Sequence, residues 1–163
     1  MRSLVATAIT AEAFKPYGEV IEVGTVQPLL INAGMCNRYT DLATFDIEDG
    51  TVGLSLFQAT LRDMPYTCDL LERHPLGSQC FIPMSDAAYL VIVAPDDGGR
   101  PGPASAFLAT HSVAVNLARN TWHGVLAPIA GSGLFAVIDR VGDGPNLEEY
   151  RMEEPVLVTS TKR

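Results

Sequence analysis

Apolar and polar positions along the chain fall into short apolar stretches of roughly four to eight residues, rich in Val, Ile, Leu, Phe and Thr. They predict strands over Val52–Ala59, Tyr66–Leu71, Gln79–Pro83, Ala88–Ala94, Ala104–Ala109, Ala114–Leu117, Thr121–Val125 and Leu134–Asp139. The 14 glycines and 11 prolines punctuate these runs, with turns at Pro95-Asp96-Asp97-Gly98-Gly99 and Asp143-Gly144-Pro145. Helix signals are few. Thr10 can cap a helix through Phe14 that Pro16 to Gly18 ends, and a second short helix near Asn146–Arg151 is a candidate. About eight antiparallel strands that close on themselves lose their edges and leave a mouth for a ligand. The expected fold is therefore an all-β barrel with a few short helices, built as one domain from 163 residues.

Composition narrows the setting. With 47% hydrophobic residues and no apolar run near the ~20 residues of a membrane-crossing helix, the chain is expected to be soluble, with no membrane partner. Met1–Thr10 carries one arginine, but Glu12, Lys15 and Pro16 interrupt it before an export signal could form, which points to the cytoplasm. Cys36, Cys68 and Cys80 make no C-x-x-C pair and read as small buried residues in a reducing compartment. A net charge of −8 argues against nucleic acid as a partner. A small anionic substrate remains compatible, because one arginine in a cleft outweighs diffuse charge screened over about 8–10 Å.

The chemistry rests on few residues. Of the three histidines, His111 sits in a turn-like Thr-His-Ser stretch and is expected at the surface. Glu72 and His74 are two apart, so on a strand they share a face, and Gln79 follows a Pro-Gly turn. The barrel proteins called cupins carry a metal motif H-x-H-x(3,4)-E and a later lone histidine. Glu72-x-His74-x(4)-Gln79 followed by His123 has that spacing, with altered residue types at two places, Glu72 and Gln79. Glutamate and histidine suit a divalent ion such as nickel, zinc, manganese or iron, whereas glutamine is a weak ligand. Without a metal, the same four groups could carry general acid and base chemistry. Both readings stay open at this point.

Several stretches are similar to one family. Leu71-Glu72-Arg73-His74-Pro75-Leu76-Gly77, Gln79 and Phe81-Ile82-Pro83-Met84 resemble the hallmark of bacterial ureidoglycolate lyases. The likeness extends through Phe14-x-x-Tyr17-Gly18-Glu19-Val20-Ile21-Glu22, Ile31-Asn32-x-Gly34, Arg38-Tyr39-x-Asp41-Leu42, Val115-Asn116, Trp122-His123 and Ile138-Asp139-Arg140. The resemblance implies a cupin-like double-stranded barrel and commonly a homodimer. It implies an amidine-type carbon–nitrogen lyase that splits ureidoglycolate into glyoxylate and urea late in allantoin breakdown, with a divalent metal helpful rather than essential. The chain departs from the family pattern at Leu117 and Ala118, where tyrosine and often histidine are usual, and at Gly124, which replaces a second histidine.

Each demand of that reaction calls for a residue type. His74, His123 and Glu72 are the catalytic candidates, and with Gln79 they are also the metal candidates. An arginine fork suits the substrate carboxylate. Arg38 and Arg119 rank above Arg73, which should point away if Glu72 and His74 point in. Gln79, Asn32 and Asn116 are candidates for the ureido amide, and Trp122 for either core or ligand platform. Asp139 and Arg140 read as an ion pair on the last strand, and Glu148, Glu149, Glu153 and Glu154 as a solvated face. Other readings are a related 2-hydroxy or 2-ureido acid as substrate, a non-catalytic acid-binding barrel, and a metal-dependent dioxygenase.

Overall fold

The Ala88–Ala94 run is apolar throughout because both of its faces are buried. Leu90, Ile92 and Ala94 join one core cluster, and Tyr89, Val91 and Val93 join another. This strand is thus the wall shared by two layers. The computed structural model describes residues 2–160. In chain order they form β1 (Arg2–Ala8), α1 (Ala11–Phe14), β2 (Gly18–Ile21), β3 (Leu29–Ile31), a 3-10 turn (Asn32–Gly34), β4 (Cys36–Arg38), β5 (Thr51–Gln58) and β6 (Tyr66–Arg73). Then follow β7 (Gln79–Pro83), β8 (Ala88–Ala94), β9 (Asp96–Asp97), β10 (Arg100–Pro101), β11 (Ser105–Ala109) and β12 (Ala114–Leu117). The chain continues through β13 (Trp122–Gly124), β14 (Ala127–Ala130), β15 (Leu134–Val141) and β16 (Glu148–Ser160).

Strands β11, β1, β16, β6, β13 and β8 pair in that order, and β8 pairs back to β11, closing a barrel. Its interior is filled by Ala6, Cys68, Leu71, Ile92, Trp122 and Val158. A five-stranded sheet, β2-β12-β7-β15-β5, packs against the outside of β8 through Phe81, Val115, Leu117, Phe135 and Val137. Phe14 of α1 plugs the same layer, and the Thr10 hydroxyl accepts from the Ala13 amide as the helix cap the sequence indicates.

Two connections cross between barrel and sheet at one end. His74 to Ser78 link β6 to β7, and Ala118 to Thr121 link β12 to β13. They are tied together where the Asn120 amide donates to the His74 carbonyl at 2.9 Å, and Leu117 pairs with Gln79 beside them. The residues with chemistry in the hallmark stretch are therefore gathered at this joint.

The sequence expectation fails at the C-terminal region. Asn146–Arg151 is not helical, since Glu148 to Ser160 form β16, whose Glu148 pairs with Arg73 and Glu149 with Glu72. The acidic residues there are exposed, as expected, but on a strand. A register shift between Arg151 and Val156 separates this polar end from Val156 and Val158, which enter the barrel core. Asp139 and Arg140 are not an ion pair either. Successive strand residues face opposite ways, so Arg140 donates to the carbonyls of Glu48, Asp49 and Asp143, while Asp139 accepts from Gln79.

Candidate active site

Glu72 on β6 and His123 on β13 are directly paired across the antiparallel ladder, so their side chains stand side by side on one face. His74 follows one residue beyond β6 and turns back toward them, its Nε2 3.9 Å from Glu72 Oε1. One ligand atom from each of the three residues lies within 4.8 Å of the others. The alternation that brings Glu72 and His123 together sends their neighbours to the other face. There Arg73 stacks 4.4 Å over the Trp122 ring and binds Asp96 and Glu148 at 2.7 and 2.6 Å.

The imidazoles are oriented by the backbone. His74 Nδ1 lies 2.8 Å from the Asn146 carbonyl oxygen and His123 Nδ1 3.1 Å from that of Gly124. A carbonyl only accepts, so each Nδ1 carries the hydrogen and, in the neutral ring, each Nε2 keeps its lone pair. Both Nε2 atoms are buried and unpartnered. Two imidazole lone pairs beside a carboxylate are a donor set that fits a divalent cation. Burial holds the His123 pKa down at about 3, with the adjacent His74 adding to the shift. Burial raises the Glu72 pKa, and His74 partly offsets that rise.

Space is asymmetric around the cluster. On the inner flank a cavity of about 20 Å³, lined by Phe81, Val91, Val115, Leu117, His123 and Gly124, has room for roughly one water. A substrate must therefore approach from the other flank, where the Glu72 and His74 side chains keep 20% and 17% of their surface.

The remaining sequence candidates divide. Gln79 is buried, and it lies on the same face of β7 as Phe81, toward the layer that His123 faces. Asn116 is on the opposite face of β12 from Val115 and Leu117, where its amide donates to Glu19 and the Thr44 carbonyl, so its assignment to the substrate is corrected to a structural clamp. Trp122 belongs to the barrel core and donates to Asp96 at 2.8 Å, which removes it as a ligand platform. Asn32 and Arg38 are exposed on the β3–β4 hairpin and bond to none of the three cluster residues. Arg119 adjoins the His74 loop, but its Nε binds Asp46 at 3.0 Å and its Nη1 binds Glu48, leaving Nη2 without a partner among the described residues. His111 is exposed, as expected.

The Gly124 departure also finds its place. A Cβ at this position would point at Ile92 and Cys68 of the barrel interior, away from the cluster. A histidine at 124 would not add an imidazole to this site. Leu117 differs, because its side chain borders the same cavity as His123. Sequence reasoning gave no role in the site to Asp139, whose contact with Gln79 is visible only from the register of β7 and β15.

A closed β-barrel with a second sheet and a two-histidine, one-carboxylate cluster at their joint defines a cupin-like protein with a metal-capable centre. The family model described as ureidoglycolate lyase matches residues 1–159. The chain belongs to the ureidoglycolate lyase family. It is 49% identical over 159 residues to the ureidoglycolate lyase of Rhodobacter capsulatus, covering 97% of this chain and 99% of that one. It is 45% identical to the ureidoglycolate lyase of Chelativorans sp. over the full length of both chains. Ureidoglycolate lyase 2 of Rhizobium meliloti is 46% identical over 147 residues, 89% of this chain and 90% of that one.

Proposed function

We propose that this protein is a ureidoglycolate lyase that splits ureidoglycolate into glyoxylate and urea, an amidine-type carbon–nitrogen lyase acting in allantoin breakdown in the cytoplasm. The observation that carries the reading is the clustering of two carbonyl-oriented imidazoles, their Nε2 atoms buried and unpartnered, with the Glu72 carboxylate in a chain of this family. The reaction takes a proton from the substrate hydroxyl, forms the aldehyde C=O, breaks the C–N bond and leaves the proton on the urea nitrogen. No water is consumed and no net proton is released.

Glu72 is the residue matched to carry that proton. Its burial raises its pKa above the ordinary carboxylate value, the direction that suits a carboxyl taking the hydroxyl proton and returning it to the departing nitrogen. His123 is held neutral by burial and serves as a lone-pair donor rather than a proton store. The backbone carbonyls, not Glu72, orient both rings, so in the metal-free protein the carboxylate is free to carry the proton, and with an ion bound it would be a ligand instead. Glu72, His74 and His123 would hold a divalent ion, nickel, zinc or manganese. Such an ion supplies a Lewis acid that lowers the hydroxyl pKa. Arg119 is assigned to the substrate carboxylate through its Nη2, since Asp46 and Glu48 hold the rest of the fork in place.

The functional unit is proposed to be a homodimer. Val52, Leu54 and Leu56 alternate along the edge strand β5 and are 52%, 70% and 62% exposed, an apolar edge that a second copy of this chain would cover.

The decisive experiment follows glyoxylate, urea and ammonia together from racemic ureidoglycolate, with and without added divalent metal. Equimolar glyoxylate and urea without ammonia support the lyase. Ammonia would indicate a hydrolase, and no product in any condition would return the barrel to a related acid or a binding role.

A further inference from the structure

Gln79 Oε1 is buried and unpartnered like the two imidazole Nε2 atoms, and its orientation is set by Asp139, which bonds to Gln79 and not to Arg140. Ile138 pairs with Cys80, so Asp139 and Gln79 are the next residues along the same ladder and lie on one face. Gln79 Nε2 donates to Asp139 Oδ2 at 3.1 Å. Because a carboxylate only accepts, this contact fixes which way round the amide stands. The nitrogen faces Asp139, and the carbonyl oxygen is turned away. Gln79 is 6% exposed, and that Oε1 has no partner. A buried carbonyl left bare is destabilising, and in a binding site it marks where a donor is missing.

The direction of that face follows from its neighbours. Phe81, two residues on along β7, and Leu117, opposite Gln79 on β12, line the same cavity as His123. Gln79 therefore fronts the layer that holds the cluster, at the joint where β6 ends and β7 begins. We infer that Asp139 is a positioning residue that locks the Gln79 carboxamide with its oxygen toward the site, making Gln79 the acceptor for the N–H groups of a ureido substrate. This rests on the lyase reading and deepens it, because it names what separates a ureido acid from a plain 2-hydroxy acid. A freely rotating amide would offer donor and acceptor alike and discriminate poorly.

The test uses two non-reacting probes on the full chain. N-carbamoylglycine has the ureido group and carboxylate but no hydroxyl, and glycolate has hydroxyl and carboxylate but no ureido group. By calorimetry, Asp139→Ala is expected to weaken N-carbamoylglycine about tenfold, a lost hydrogen bond's worth, and to leave glycolate unchanged. KM for ureidoglycolate rises by a similar factor while kcat changes less. The double variant Gln79→Glu with Asp139→Asn exchanges donor and acceptor, keeps an oxygen facing the site, and is expected to recover N-carbamoylglycine binding relative to either single variant. Equal weakening of both probes, or no change in either, overturns the inference while leaving the lyase reading intact if wild type still releases glyoxylate and urea. If Asp139→Ala lowers zinc affinity instead and keeps the ratio of the probes, Gln79 is a metal ligand and the inference fails. A wild-type protein that binds neither probe and yields no product overturns both.

Discussion

His74 and His123 meet ring to ring, with centroids 5.2 Å apart and planes inclined at 43°, and each has its Nδ1 on a backbone carbonyl and its Nε2 buried without a partner. Burial, with the adjacent His74 adding to it, disfavours a proton on His123, so its Nε2 lone pair is left buried without a partner. A cation that both rings can ligate supplies that partner.

Metal binding should therefore depend on all three residues. Wild-type protein treated with chelator and then dialysed against zinc, nickel or manganese is expected to take up one ion per chain. His74→Ala and His123→Ala should each weaken that uptake by more than the roughly 10–100-fold that loss of an outer-shell partner costs. Metal content by atomic spectroscopy decides it, and stoichiometric uptake by His123→Ala would place the ion elsewhere.

The burial of His123 has a pH signature in metal-free protein. Its folded pKa of about 3 lies below the 6.5 of an unfolded histidine, so the unfolded state takes the proton first. Stability from this residue is complete above about 6.5 and is lost as pH falls toward 3, on the order of a few kcal/mol in all. Glu72 works the other way, because its raised pKa favours the folded state as pH falls through it. Denaturant melts between pH 7 and pH 4, values bracketing most of that range, should show a shallower pH slope in His123→Gln than in wild type, and a steeper one in Glu72→Gln. Identical slopes in wild type and His123→Gln would show that the imidazole does not stay neutral on folding.

How much of this was legible follows the physics of each element. Strands β7, β8 and β12 were readable with correct bounds because apolar residues fill the layers on one or both sides of them. Strand β16 was not, because its first half is dominated by exposed Glu148, Glu149, Glu153 and Glu154 and carries Pro155, with Tyr150 and Met152 only partly buried and Val156 and Val158 alone fully in the core. β1 was missed for a related reason: only Ala6 of its seven residues is buried, and it is held by parallel pairing to β16 and β11. Glu72, His74 and His123 were legible because the first two share a short motif and His123 stands alone at the second. Asn116 was misplaced because adjacency to Leu117 in sequence means the opposite face on a strand, and the same alternation turns Trp122 away from His123 into the core, the first of its two readings.

The apolar edge strand carries a prediction about assembly. With Leu54 and Leu56 more than half exposed on β5, sedimentation is expected to give twice the chain mass. Leu54→Asp combined with Leu56→Asp should shift it to the single-chain mass without loss of the β-sheet spectrum. A wild-type protein that sediments as one chain would show that this edge is not covered by a second copy.

Two of the three departures from the family pattern, Gly124 and Leu117, should behave differently when reversed. Gly124 sits with its missing Cβ 3.3 Å from Ile92 Cβ and 3.6 Å from Cys68 Sγ, so a side chain there enters the filled barrel. Gly124→His is expected to lower stability by about 1–3 kcal/mol through overpacking and to add nothing to catalysis or metal uptake. Leu117 borders the small cavity beside His123, and Leu117→Tyr brings a hydroxyl into that space next to an unpartnered Nε2. The tyrosine variant should therefore change kcat or its pH profile with a smaller loss of stability than the histidine one. The comparison is of thermal midpoint and kcat in the two single variants, and a Gly124→His protein that gains activity at unchanged stability would mean that position 124 reaches the site by a different side-chain path.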